Sequence, residues 1–490
     1  MASRIDTDSA RRPGLVGPVW VVAGGVVVLL VTVSARYGFH RDELYFLVAG
    51  RHLDWGFVDQ PPLTPLVARL AEIIAGTSPS ALRVLPALAI GGVVVAAAAM
   101  ARRFGGGRRA QVYAAVSTGG AGVVLAVGHL LSTATFDVLL WTVATWVLVG
   151  ILDDGDPRWW LVFGATVGVG MQNKFLIGVF AVCVVLSLAL MSGRRVLRGW
   201  WPVSAGVVAV VIAAPTVWWQ ARNGFPQLDV ARSLAERSDG RVAFVLLQIG
   251  LLSIVLTVPA VVGLWRLLRS PSLAPWRPLG VTFVALLVLF FVAGGKAYYV
   301  APMYPVLLAA GALWFEGLGR VSGRVMTAAT AAGIGVGMFV ALPLLPPSKM
   351  STLDATGELG ETVGWPELVD QVTDVYESVP ADRRTNVVIF TGSYGEAGAI
   401  DVLGPRTGLP PASSGHNSYW LWGPPARHGA VIGVGDVGDV LRRICSGTAE
   451  VGRIDNPYGV QNEEAGLPLF LCLDPERQLS QIWDDVRHYN

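Results

Sequence analysis

Residues 159–191 read WWLVFGATVGVGMQNKFLIGVFAVCVVLSLALM, 33 positions whose single charge, Lys174, lies near the middle. A transmembrane helix needs roughly 20 predominantly apolar residues. The run is longer than one crossing requires, so its polar centre Gln172-Asn173-Lys174 reads as a tight turn between two spans. Outward from it, further apolar runs of about that length cover 15–35, 82–100, 110–127, 138–152, 203–219, 242–265, 279–294, 300–315 and 326–345. The expectation is a polytopic α-helical membrane protein of about 11 transmembrane helices. Composition agrees, because 53% hydrophobic residues, 15% charged residues and a mean hydropathy of +0.54 exceed what a water-soluble surface accommodates.

Orientation follows from the arginines. Arg11-Arg12, Arg102-Arg103 with Arg108-Arg109, Arg194-Arg195 with Arg198, Arg266 with Arg269, and Arg320 with Arg324 occupy every second connection. The positive-inside rule assigns those connections, and the N-terminus, to the cytoplasm. An odd number of crossings in the cytoplasmic membrane then puts the chain from about Pro347 outside. The expected organisation is a transmembrane domain, 1–346, whose long first outer loop is 36–81, and an extracytoplasmic soluble α/β domain, 347–490. In that second part 386–391 and 429–434 read as buried strands, and 365–376 and 437–444 as amphipathic helices. Residues 63–74 of the first loop are apolar on one face, with Arg69 and Glu72 on the other, as in a helix lying at the membrane interface.

Candidate chemistry gathers on the outer side. Asp42-Glu43 follows the first span within a few residues, flanked by Arg41 and Tyr45-Phe46, where burial tunes a carboxyl and a general base is useful. A solvated turn with a local salt bridge is the plainer alternative. Asp59-Gln60-Pro61-Pro62 supplies a second acid on the same loop, held by prolines, in what is more often a turn. His129 and Asp137 bracket a third outer turn, and Asp137 equally suits capping the helix that follows. Lys174, Arg222, Arg232, Arg237, Arg241 and Lys296 are basic groups on the side where the charge rule disfavours them, which points to an anion such as a lipid phosphate. Ordinary anionic headgroups are the alternative partner. The chain has only three lysines among 37 basic residues, and Lys296 precedes Tyr298-Tyr299, which also reads as an interfacial aromatic anchor.

In the C-terminal part Gly392-Ser393-Tyr394-Gly395-Glu396-Ala397-Gly398 follows a strand, but its glycines do not match the dinucleotide fingerprint, which argues against nucleotide binding. The aromatic and amide-rich stretch 414–423 suits packing against the bundle more than a carbohydrate surface. Cys445 and Cys472 both lie in this part, where an oxidising compartment permits a disulfide; two buried thiols are the alternative.

The stretches Arg41-Asp42-Glu43-Leu44-Tyr45-Phe46 and Asp59-Gln60-Pro61-Pro62-Leu63 after the first span, with Gln172-Asn173-Lys174 and Lys296-Ala297-Tyr298-Tyr299, resemble bacterial glycosyltransferase family 39. That family includes protein O-mannosyltransferases and the lipid A aminoarabinose transferase. The resemblance implies the C-type glycosyltransferase fold and transfer of a sugar from a polyprenyl-phosphate donor to a glycan, lipid or protein acceptor at the outer membrane face, with inversion. It implies Asp42 as general base, Glu43 as a positioning acid, and Lys174, Lys296, Arg222 or Arg241 as neutralisers of the departing phosphate. Arg41, Asp59, Gln60, His129, Asp137, Tyr298 and Tyr299 are the further candidates for substrate binding. No cofactor, metal or nucleic-acid partner is expected, and membrane lipids are. A lipid flippase or small-solute transporter, and a non-catalytic envelope assembly protein, are the rival classes; a transporter would carry its ionisable residues nearer the bilayer midplane.

Overall fold

A computed structural model describes residues 14–236, 240–352 and 357–489. Arg11-Arg12 and Arg237 lie outside the described residues. Every expected span is helical, and the chain is a multi-pass membrane protein. Six helices are long and apolar enough to cross alone: Pro79–Arg103, Thr133–Asp153, Trp201–Arg222, Pro271–Ala293, Ala297–Glu316 and Arg320–Ala341. Three shorter apolar helices, Gly17–Val33, Trp159–Met171 and Leu176–Leu190, and two bent pairs complete the bundle.

The bent pairs correct two runs read as straight spans. Residues 108–129 bend by 57° where Gly120 and Ala121 separate Arg108–Gly119 from Gly122–His129. The run 242–265 bends by 101° between Arg241–Leu252 and Ile254–Arg269. Ser253 makes that corner: at φ 88° it cannot continue the first helix, and its hydroxyl caps the second by accepting from Leu256 N–H. Local capping thus overrides a continuous apolar pattern. Helix ends elsewhere follow the sequence, with Ser78 capping a helix that opens on Pro79 and closes on Arg102 and Arg103, whose charge suits the carbonyl end.

The C-terminal region carries a five-stranded sheet: β1 (Val388–Thr391), β2 (Ala412–Ser414), β3 (Val431–Val434), β4 (Ala449–Arg453) and β5 (Pro468–Cys472). Their order is β2-β1-β3-β5-β4; β2, β1 and β3 are parallel, whereas β5 runs antiparallel to both β3 and β4. β1 and β3 are buried along their length, which explains their unbroken apolar sequence. Helix Trp365–Ser378 lies where amphipathic spacing requires it, and Cys445 and Cys472 are bonded.

This region is not set apart from the first loop. One hydrophobic core runs from Leu44, Leu47 and Val48 of helix Arg41–Arg51 into Trp365, Val369, Ile389, Ile400 and Val434. Helix Leu63–Ala75 backs the same core with Ala68 and Ala71 and leaves Leu66, Leu70, Ile73 and Ile74 exposed, as an interfacial helix would.

Beneath this junction Glu464 is buried with one carboxylate oxygen that has no hydrogen-bond partner among the described residues. Burial, with the neighbouring Glu361, Glu396 and Glu463 adding to it and Arg41 opposing, raises its carboxyl from 4.5 to about 8. The folded state therefore holds this proton where the unfolded chain releases it. The stabilisation is full below about 4.5 and is lost as pH rises to about 8. Thermal unfolding of the solubilised protein should show a midpoint that falls over that window. Glu464→Gln, which carries no charge at any pH, should flatten the fall; an unaltered slope would mean that Glu464 is ionised in the fold.

Candidate functional site

The site grows from His40. Its ring accepts a hydrogen bond from Asp42 N–H at 3.1 Å, while Glu43 takes the His40 N–H at 2.9 Å, a reciprocal cap that starts helix Arg41–Arg51 at the junction with the bundle. Glu43 then meets Arg83 of helix Pro79–Arg103 in a two-pronged pair of 2.9 and 2.7 Å, with both side chains within 1% of full burial. Arg83 also donates to the carbonyls of Ser34 and Gly38, and Leu131 N–H donates to Glu43. Each Glu43 oxygen receives two donors, and this acid does not line the pocket that Asp42 lines. Arg83 is its unforeseen partner. The legible sign was a lone arginine one turn into an apolar span, where an unpaired charge is costly.

Asp42, one residue earlier in the helix, points elsewhere. It lines a pocket of about 140 Å³ with Tyr45, Phe46, Asp59, Gln60, Pro61, Thr133, Asn173, Lys174, Phe175, Gln227 and Tyr394. Its side chain is 37% exposed, and Oδ1 accepts from the Tyr394 hydroxyl at 2.8 Å. Oδ2 has no hydrogen-bond donor among the described residues; its nearest basic neighbour is His40 Nδ1 at 4.0 Å. Asp59 accepts from Tyr45 Oη at 2.8 Å, and Tyr45 Oη in turn accepts from Ser418 N–H. Withdrawal from water pushes the Asp59 carboxyl up to about 7, against the pull of the Tyr45 bond and with the nearby Asp42 charge adding to the rise. Gln60 is buried in the wall, and its amide nitrogen has no hydrogen-bond partner among the described residues.

The cation of the pocket is Lys174. Its ammonium lies 4.9 and 5.0 Å from the ring centres of Tyr298 and Tyr299, and 3.5 Å from Tyr298 Oη. The turn that presents it is anchored by its neighbours. Asn173 accepts from Thr64 and donates to the Thr133 carbonyl, both at 2.8 Å, and Gln172 accepts from Thr216. The triplet therefore divides into two structural amides and one projecting ammonium.

Other candidates are placed apart. Lys296 precedes the turn Ala297–Met303 and does not line this pocket. Arg241 lines a separate cavity of about 230 Å³ with Phe244, Phe291, Gly294 and Gly295. Arg222 is exposed over the Trp218 ring, and Arg232 pairs with Asp229. Arg41 is engaged by Glu463 and Glu361 of the C-terminal region. His129 is buried outside the pocket, and neither ring nitrogen has a hydrogen-bond partner among the described residues. Asp137 is not a cap: Ser132 caps helix Thr133–Asp154, because its hydroxyl reaches Thr135 N–H, and Asp137 is buried a turn inside. Tyr394 and Gln227 were not foreseen, since nothing local in sequence links them to Asp42. The stretch 414–423 packs on the first loop, with Ser418 Oγ accepting from Val58 N–H and Trp422 stacked on His52.

A free carboxylate oxygen and a fixed ammonium in one pocket, at the membrane boundary of a helical bundle, can remove a proton and hold an anion. Residues 59–219 match the family described as dolichyl-phosphate-mannose-protein mannosyltransferase. The whole chain has the C-type glycosyltransferase fold that the first loop resembles. ArnT from Cupriavidus metallidurans bound to undecaprenyl phosphate superposes with a TM-score of 0.63 at 15% identity, over 93% of this chain and 98% of that one. The mycobacterial arabinofuranosyltransferase AftD superposes at 0.55 and 14% identity, over 95% of this chain and 40% of its own. The oligosaccharyltransferase of Archaeoglobus fulgidus, tethered with an acceptor peptide, reaches 0.52 at 11% identity, over 79% of this chain and 62% of its own. No curated protein matches by sequence. The fold and the matched family are those of membrane glycosyltransferases.

Truncating one side of the Glu43–Arg83 pair strands a buried charge, at a cost of about 3–5 kcal/mol. Glu43→Gln or Arg83→Met should therefore lower folded yield and unfolding temperature sharply. The double variant should recover part of the loss. If Glu43→Gln instead leaves stability intact and abolishes turnover, Glu43 belongs to the chemistry.

Proposed function

We propose that this protein transfers a sugar from a polyprenyl-phosphate donor to a hydroxyl acceptor at the outer face of the cytoplasmic membrane, with inversion. The observation that carries the reading is the free Oδ2 of Asp42 in the same pocket as Lys174. An acceptor hydroxyl loses its proton to Oδ2 as its oxygen attacks the anomeric carbon. The bond from that carbon to the phosphate oxygen breaks, and the electron pair leaves with the lipid phosphate. Lys174, held by two aromatic faces, neutralises the departing charge. The proton on Asp42 then passes to solvent. Tyr298 and Tyr299 serve by seating Lys174, and Asp59 with Gln60 forms the wall against the sugar.

The orientation is supported by the distribution of charge. Arg103 pairs with Asp153 and Gly107 N–H meets Glu316 at the end of the bundle away from the pocket, where the arginine-rich connections collect. Cysteines introduced at Ser378 and Ser272 should react with a membrane-impermeant maleimide in intact cells only at Ser378. Labelling of Ser272 alone would invert the topology.

Proteoliposomes supplied with radiolabelled undecaprenyl-phosphate-linked mannose, arabinose or aminoarabinose, and with an envelope fraction from cells lacking the gene, test the reaction. Native protein should transfer label from one of them. Asp42→Asn should lower kcat by roughly a hundredfold or more, the usual worth of a general base. Lys174→Ala should impair donor use while leaving the fold intact. Transfer by none of the three, or native turnover in Asp42→Asn, would overturn the reading.

A further inference from the structure

The C-terminal region reaches the pocket through one residue. Tyr394 opens helix Tyr394–Leu403 at the carboxyl end of β1, 352 positions along the chain from Asp42. In the order β2-β1-β3 the chain leaves β1 to one side and returns on the other, which opens the crevice where sheets of this kind usually hold ligands. Here the Glu396 carboxylate lies between the two loops, against Gly392 and Gly435, and helix Arg41–Arg51 packs on the outer face of helix Tyr394–Leu403. Gly395 and Gly398 permit the approach: a Cβ on either would lie 3.1 Å from the Arg41 Cβ or 3.0 Å from the Leu44 Cβ. The loop is fixed from behind by a reciprocal cap in which Ser393 Oγ accepts from Glu396 N–H, and the Glu396 carboxylate accepts from Ser393 N–H. The Tyr394 hydroxyl therefore meets Asp42 in a set register.

We infer that Tyr394 is a positioning residue of the transfer reaction, holding Oδ1 of Asp42 by a donated hydrogen bond so that Oδ2 is the oxygen presented to the acceptor. This rests on the reading of Asp42 as the base. A carboxylate with both oxygens free would turn about its own bond, and only part of its population would face an incoming hydroxyl. With Oδ1 tied, the acceptor proton moves to Oδ2, the acceptor oxygen takes the anomeric carbon, and Tyr394 keeps its own proton throughout. Burial and the Asp42 charge raise the phenol well above its ordinary range, against the opposing Arg41 charge, which suits a permanent donor. The C-terminal region is thereby part of the catalytic site, and the bundle without it presents an unaligned base.

The test is a double-mutant cycle in the proteoliposome assay, with the undecaprenyl-phosphate-linked sugar that the native protein uses. Tyr394→Phe removes one oxygen and should lower kcat about tenfold, the usual worth of a hydrogen bond to a charged group. Donor KM should stay within about twofold, because the tie acts on the base. In the Asp42→Asn background Tyr394→Phe should have no further effect, since there is no proton acceptor left to align. Binding of undecaprenyl phosphate and the unfolding temperature serve as the measure of folding. Native kcat in Tyr394→Phe, or the same proportional loss in both backgrounds, would overturn the inference and leave the base assignment standing. Native turnover in Asp42→Asn alone would remove the base assignment, and this inference with it.

Discussion

The buried pair between Glu43 and Arg83 is the constraint on which the site depends. Two charges within 1% of full burial persist only where every oxygen and nitrogen is matched, and here Glu43 receives four donors while Arg83 reaches two main-chain carbonyls besides. The pair joins the first helix of the loop to the first turns of a membrane helix and, through Ser34 and Gly38, to the segment that leaves the first span. Asp42 precedes Glu43 by one residue, and adjacent helical positions project about 100° apart. Fixing one acid in the core consequently sends the other towards the pocket. Two carboxylates side by side in sequence thus acquire opposite surroundings, one paired in the core and one lining the pocket.

The C-terminal region extends this order. Its core is continuous with the apolar face of the loop helices, so Leu44, Leu47 and Val48 are buried by residues more than 300 positions away. Burial of each such side chain is worth about 1.5–3 kcal/mol, and the loop would forfeit that stabilisation if it lay bare on a membrane. Both pocket acids are tied to this region, Asp42 through Tyr394 and Asp59 through Tyr45 and Ser418. Packing and alignment of the acids are therefore one event. The opposing charge is supplied from the bundle, where Lys174 rests between two tyrosine rings rather than against a carboxylate. Among the described residues no acid makes hydrogen-bond contact with that ammonium.

The sequence by itself determined the bundle, because apolar runs of membrane length have no other stable solvent and arginines mark alternate connections. It also marked the two central strands, from the unbroken apolar runs that became β1 and β3, and it pointed to the first loop as a candidate site, from acids placed just beyond a span. It did not determine the corner at Ser253, since a cap acts over one turn whereas hydropathy is averaged over many residues. Which acid would face the pocket, which of the outer basic residues would share it, and that Tyr394 would meet Asp42 were decided only by the tertiary structure. Those outcomes hang on contacts between residues tens to hundreds of positions apart: Glu43 with Arg83, Lys174 with Tyr298, and Asp42 with Tyr394. A one-dimensional pattern records the periodicity that buries a face. Which side chains meet across that face depends on how the helices pack, and that geometry exists only once the core has formed.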